Sequence, residues 1–83
     1  MSLRMPLELL SKLRESSVEV IVKLKDGSEY KGFLEDVDLA MNIILSEAVQ
    51  VGEDGSLIVK YGRVFIRGSN ILYIYPSGVK VIF

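Results

Sequence analysis

The chain is predicted to be mainly β: one short helix followed by five or six antiparallel strands, bent sharply enough to curl into a small barrel. Three observations predict it. From Val18 the apolar residues fall on every second position, the period of a half-buried strand. Asp-Gly and other glycine-containing breaks cut the remainder into short runs rich in Val, Ile and Tyr. Gly32 and Gly62 stand inside two of those runs. A strand carries glycine where it bends or where another backbone comes close, and bending is what closes a small sheet.

Each element follows in order. Residues 6 to about 15 read as a short helix, since Pro6 suits a first turn whose N–H groups are unpaired anyway. Leu9, Leu10 and Leu13 give it an apolar stripe, and a helix this short needs a surface to lie on. In the first strand Val18, Val20, Val22 and Leu24 alternate with Glu19, Ile21, Lys23 and Lys25. Asp26-Gly27 then marks a hairpin. A two-residue loop would set Leu24 opposite Glu29 and mix the two faces. A three-residue loop, Lys25-Asp26-Gly27, sets Val22 opposite Tyr30 and Val20 opposite Gly32. The expectation is therefore a type I turn with Gly27 left-handed in a bulge.

Residues 35 to 40 are expected to be a loop, 41 to about 51 a third strand, and 52 to 55 a turn. Residues 57 to 67 should form a fourth strand, Gly68-Ser69 a tight turn and 70 to 75 a fifth strand. Pro76-Ser77-Gly78 breaks the pattern, leaving 79 to 83 as a short strand or apolar tail. The fourth and fifth strands are apolar on both faces, so as free edges they would aggregate. Pairing the fourth strand of one subunit with the fifth of the next removes both edges and closes a ring. The other reading makes both strands central in a sandwich.

Composition excludes several functions. Eighty-three residues make one domain, residues 1–83, and nearly half of them are hydrophobic. With no cysteine there is no disulfide or thiolate metal site, and with no histidine the usual general base is missing. Charges interrupt every apolar stretch, so no membrane span or signal peptide is expected and the cytoplasm is the expected location. Glu35, Asp36 and Asp38 could hold a cation or move protons. Without a nucleophile or phosphate cradle beside them they read as a solvated loop, so no enzyme, metal site or cofactor is expected. The net charge is −1, so any nucleic-acid binding must rest on a few clustered cations.

Two segments carry a resemblance. The first runs from Val18 to Gly27, through Tyr30-Lys31-Gly32, and closes with Asp38-Leu39-Ala40-Met41-Asn42. The second is Tyr61-Gly62-Arg63-Val64-Phe65-Ile66-Arg67-Gly68-Ser69-Asn70. Together they resemble the two-part signature of the Sm and Sm-like (Lsm) proteins, with motif 1 over about 18–48 and motif 2 over about 61–75. The resemblance implies an N-terminal helix on a strongly bent five-stranded antiparallel SH3-like barrel. The short turn at 52–55 is similar to that of archaeal members, which typically assemble into homomeric rings, most often heptamers. It implies a scaffold or chaperone of RNA processing that binds single-stranded, uridine-rich RNA around the pore.

By the same resemblance the binding residues are Asp38, Ala40 and Asn42 in one loop and Arg67, Gly68 and Ser69 in the other. Asn42 would bond the uracil edge, since an amide offers both donor and acceptor. Asp38 would shape the loop, and Arg67 would stack its guanidinium plane on the base while attracting phosphate. Two positions depart from the family pattern. Ala40 stands where histidine or an aromatic often stacks on the base, a loss of roughly 1–3 kcal/mol per base. Ser69 stands where aspartate is usual. These departures motivate the alternative, a ring acting through protein partners after losing base recognition. A monomeric peptide-binding SH3-like module is a third reading, opposed by the missing tryptophan and the apolar edges. Met41 reads as core, Arg63 as either interface or solvated, and the four tyrosines as packing.

Overall fold

The computed structural model describes residues 18–78. The helix expected over 6–15 and the strand or tail expected over 79–83 lie outside the described residues. Five antiparallel strands follow in the order expected: β1 (Glu19–Leu24), β2 (Glu29–Val37), β3 (Ile43–Val51), β4 (Leu57–Ile66) and β5 (Ile71–Pro76). Strand β2 runs into the stretch assigned above to loop, and β3 begins two residues later than the pattern placed it. The reason is cross-strand pairing of Val37 with Ile43, which zips the hairpin closer to its turn.

The first hairpin has the register its alternation dictates, with Val20 opposite Gly32 and Val22 opposite Tyr30. Its turn closes through Leu24 N–H to the Ser28 carbonyl (2.9 Å) and Gly27 N–H to the Leu24 carbonyl (3.0 Å). Gly27 has φ +96°, the left-handed region that a residue without Cβ enters freely. Asp26 Oδ1 accepts from both the N–H (2.9 Å) and the hydroxyl (2.6 Å) of Ser28 and locks the turn.

The sheet order is β4-β3-β2-β1-β5. A line of irregularities crosses β2, β3 and β4 and bends all three strands. A Cβ on Gly32 would lie 2.9 Å from the Ser46 carbonyl oxygen and 3.1 Å from Ala48 Cα, so β3 folds against it. Beside it Glu47 takes φ +50°, and the β2–β3 and β3–β4 registers both slip there. Gly62, with φ +82°, pairs with Ala48 at the same line on β4. Bulges of this kind bend a strand and increase its twist.

The inner face closes over Val20, Val22, Leu34, Ile43, Leu45, Ala48, Ile66, Ile71 and Ile74, all buried. Each fully buried aliphatic of this set contributes roughly 1.5–3 kcal/mol. Strands β4 and β5 are the two edges of the sheet. Leu57, Ile58, Tyr61 and Phe65 on β4 are exposed, Phe65 by 62%. Among the described residues β4 is therefore an edge and not the central strand of a sandwich.

Candidate nucleic-acid interface

The β2–β3 turn, Asp38 to Asn42, repeats the backbone of the first hairpin. Asp38 N–H donates to the Asn42 carbonyl (3.1 Å) and Met41 N–H to the Asp38 carbonyl (3.0 Å). The β3–β4 turn does the same, with Gly52 N–H on the Ser56 carbonyl (2.8 Å) and Gly55 N–H on the Gly52 carbonyl (2.9 Å). In two of these turns the left-handed position is glycine, Gly27 or Gly55. In the β2–β3 turn it is Met41, at φ +64°. A non-glycine residue there costs on the order of 1–3 kcal/mol and marks a segment over-determined by its surroundings. Met41 is expected from the sequence to be core. Its side chain does pack against the core, while its backbone shapes the loop.

Asp38 supplies much of that determination. Its Oδ1 accepts from the N–H groups of Ala40 and Asn42, each at 2.9 Å, and its Oδ2 accepts from Asn42 Nδ2 at 3.0 Å. The Asn42 side-chain bond, followed by its backbone bond and that of Ala40, holds the Asp38 carboxyl below its ordinary value. Asp38 is exposed and ionised at neutral pH.

Asn42 then joins the two candidate loops. Its Oδ1 accepts from Gly68 N–H at 2.8 Å across 26 residues of sequence. Gly68 opens a one-turn 3₁₀ helix, Gly68–Asn70, between β4 and β5, where the sequence reading placed a tight turn. Its lack of a side chain is a matter of space: a Cβ there would overlap the Ala40 carbonyl oxygen and stand 2.8 Å from the Met41 carbonyl carbon. Ala40, Arg67 and Ser69 are exposed around this junction, and Arg67 makes no ion pair among the described residues. After these bonds the Asn42 amide retains one N–H and one lone pair. Below the loop a hollow of about 80 Å³ is lined by Asp36, Val37, Asp38, Asn42, Ile44 and Phe65.

The other basic and aromatic candidates lie elsewhere. Arg63 bonds Glu35 at 2.6 Å in an exposed ion pair across the sheet. Tyr30 packs on Tyr61 with ring centroids 5.9 Å apart, and Tyr61 donates to Gln50 at 3.3 Å. Tyr73 and Tyr75 sit 5.7 Å apart.

A bent five-stranded sheet whose β2–β3 and β4–β5 loops are bolted together by an asparagine defines a small β-barrel class with one polar junction and two apolar edges. The family model for the LSM domain matches residues 9–76, and the chain belongs to that family. A Methanococcoides burtonii protein named as snRNP Sm-like is 41% identical over 71 residues, covering 86% of this chain and 94% of its own. Among solved structures, the Sm protein of Pyrococcus abyssii in complex with a uridine heptamer superposes with a TM-score of 0.79. It is 32% identical, with 89% of this chain and 100% of that chain covered. A heptameric archaeal Sm protein superposes with a TM-score of 0.74 at 32% identity, covering 83% of this chain and 96% of that one.

Proposed function

We propose that this chain assembles into a homomeric ring, a heptamer, that binds single-stranded RNA at its β2–β3 and β4–β5 loops and acts as a scaffold or chaperone in RNA processing. The observation that carries the reading is the Asp38–Asn42–Gly68 junction. It fixes an amide with one spare donor and one spare acceptor beside an exposed Arg67 that makes no ion pair among the described residues. The solved relatives, one of them heptameric and one holding a uridine heptamer, support it. The position of β4 and β5 as the outer strands of the sheet among the described residues supports the assembly: joined head to tail, they would pair backbone groups and cover the exposed apolar side chains of β4. One pocket per subunit lets weak sites act together.

The protein works by binding, not by catalysis, and we place it in the cytoplasm. Among the described residues no helix is long and apolar enough to cross a membrane. Asp38 orders the loop, Asn42 reads the base edge, and Arg67 stacks and neutralises phosphate. Ala40 and Ser69 border the base, and Gly68 lets the loops touch.

The test is fluorescence anisotropy of labelled uridine and adenosine heptamers at two salt concentrations, with solution mass measured in parallel. Uridine binding that survives moderate salt, on a ring-sized particle, is the expected result. A ring that binds neither oligomer would transfer the function to protein partners, the reading favoured by Ala40 and Ser69.

A further inference from the structure

Three turns of this fold share one backbone geometry, which makes each a control for the others. At the two tip positions the β1–β2 turn carries Lys25 and Asp26, and the β3–β4 turn carries Glu53 and Asp54. All four are exposed, as charged side chains at a turn tip should be. The β2–β3 turn carries Leu39 and Ala40 at those same positions, also exposed. Leu39 is 89% exposed, more than any other large hydrophobic side chain among the described residues. The geometry does not require leucine, since charged residues fill the same place twice.

Nor is this tip loose. The Asp38 carboxylate grips the N–H groups on either side of the left-handed residue, and the Met41 N–H closes the turn. The Ala40 carbonyl packs on Gly68 so tightly that no Cβ fits between them. Leu39 is thus presented on a fixed frame, next in the chain to Ala40, whose carbonyl meets Gly68 of the loop that carries Arg67 and Ser69.

We propose that Leu39 is an apolar base-contact residue, packing on the face of the nucleobase that Asn42 holds and supplying contact area that Ala40 cannot. The assignment rests on the RNA-binding reading of this site. An aliphatic side chain gains by removing apolar surface from water and has no hydrogen-bonding pattern to match. Leu39 therefore raises affinity for every base alike and leaves discrimination to Asn42.

The experiment compares the full chain with its Leu39→Gln and Leu39→Met variants, using labelled uridine and adenosine heptamers in anisotropy, with solution mass and thermal midpoint for each. Leu39→Gln should weaken both oligomers by about fivefold or more, while the uridine-to-adenosine ratio holds. Leu39→Met should stay within about twofold of the parent, because it keeps the apolar area. Mass and midpoint should not move, since the side chain is 89% exposed and buries little against the described residues. Unchanged affinity in Leu39→Gln overturns the assignment, as does a shifted base ratio. Loss of the ring in Leu39→Gln also overturns it, by placing the leucine against a neighbouring subunit. Failure of the parent chain to bind either oligomer overturns the RNA reading itself, and this assignment with it.

Discussion

Replacing Gly68 by alanine tests the loop junction most directly. The added methyl meets backbone: it would overlap the Ala40 carbonyl oxygen and stand 2.8 and 2.9 Å from the carbonyl carbon and oxygen of Met41. Ordinary contact begins near 3.4 Å, and no flexible side chain is available to yield. The loops must therefore separate, which costs about 1–3 kcal/mol as overpacking. Separation also stretches the 2.8 Å bond from Gly68 N–H to Asn42 Oδ1, for about 1 kcal/mol more. The sum is about 2–4 kcal/mol, or roughly a 10 °C or greater fall in thermal midpoint for a domain this size. Gly55→Ala is the control: nothing lies near its added methyl, so only the left-handed backbone, φ +84°, is penalised, by about 1 kcal/mol. Urea unfolding at one fixed protein concentration measures both, because ring assembly links stability to concentration. The same Gly68→Ala protein should lose uridine-heptamer affinity, since Asn42 loses its anchor. If Gly68→Ala proves no less stable than Gly55→Ala and binds RNA like the parent, the junction does not hold the site together.

Three further expectations follow from the same geometry. Arg67→Ala should leave the ring intact, weaken RNA binding and lower the salt slope by about one per subunit contact engaged; an unaltered slope removes Arg67 from the interface. The carboxyls of Asp26, Asp38 and Asp54 all sit below their ordinary value of 3.8, lowered first by side-chain bonds from Ser28, Asn42 and Ser56. A lowered value in the folded state means the contribution is complete above 3.8 and lost as pH falls below it, so the urea midpoint should drop on acidification through that range. A midpoint flat down to about pH 2.5 would contradict the bonding seen at all three turns. Arg63→Ala should change stability by no more than about 0.5 kcal/mol despite its short ion pair with Glu35, because the arginine is largely exposed; a loss near 2 kcal/mol would show that assembly buries the pair.

What was legible in the sequence was local. Alternation in Val18–Leu24 identified a strand, and matching Val22 to Tyr30 chose the three-residue turn, because a hairpin's register is set within a few residues of its loop. Gly32 and Gly62 announced a bend, since a glycine inside a strand gives up packing that only close approach or curvature restores. The apolar character of both last strands pointed to edges that need partners, and the fold leaves β4 and β5 at the edges. The two loops of the candidate site were found by resemblance, not by spacing.

Tertiary structure decided the rest. Nothing local to Glu47 announces its left-handed backbone; β3 kinks there because Gly32, on the neighbouring strand, lets it close in. Met41 shows no glycine-like preference of its own, and it holds φ +64° because Asp38 and the core beneath it outweigh the strain. Gly68 looked like a turn glycine, yet it is required for room against a loop 26 residues away. Propensity and periodicity act over a few residues, whereas the hydrogen bond from Gly68 N–H to Asn42 Oδ1 exists only once β3 and β4 have paired and brought their ends together.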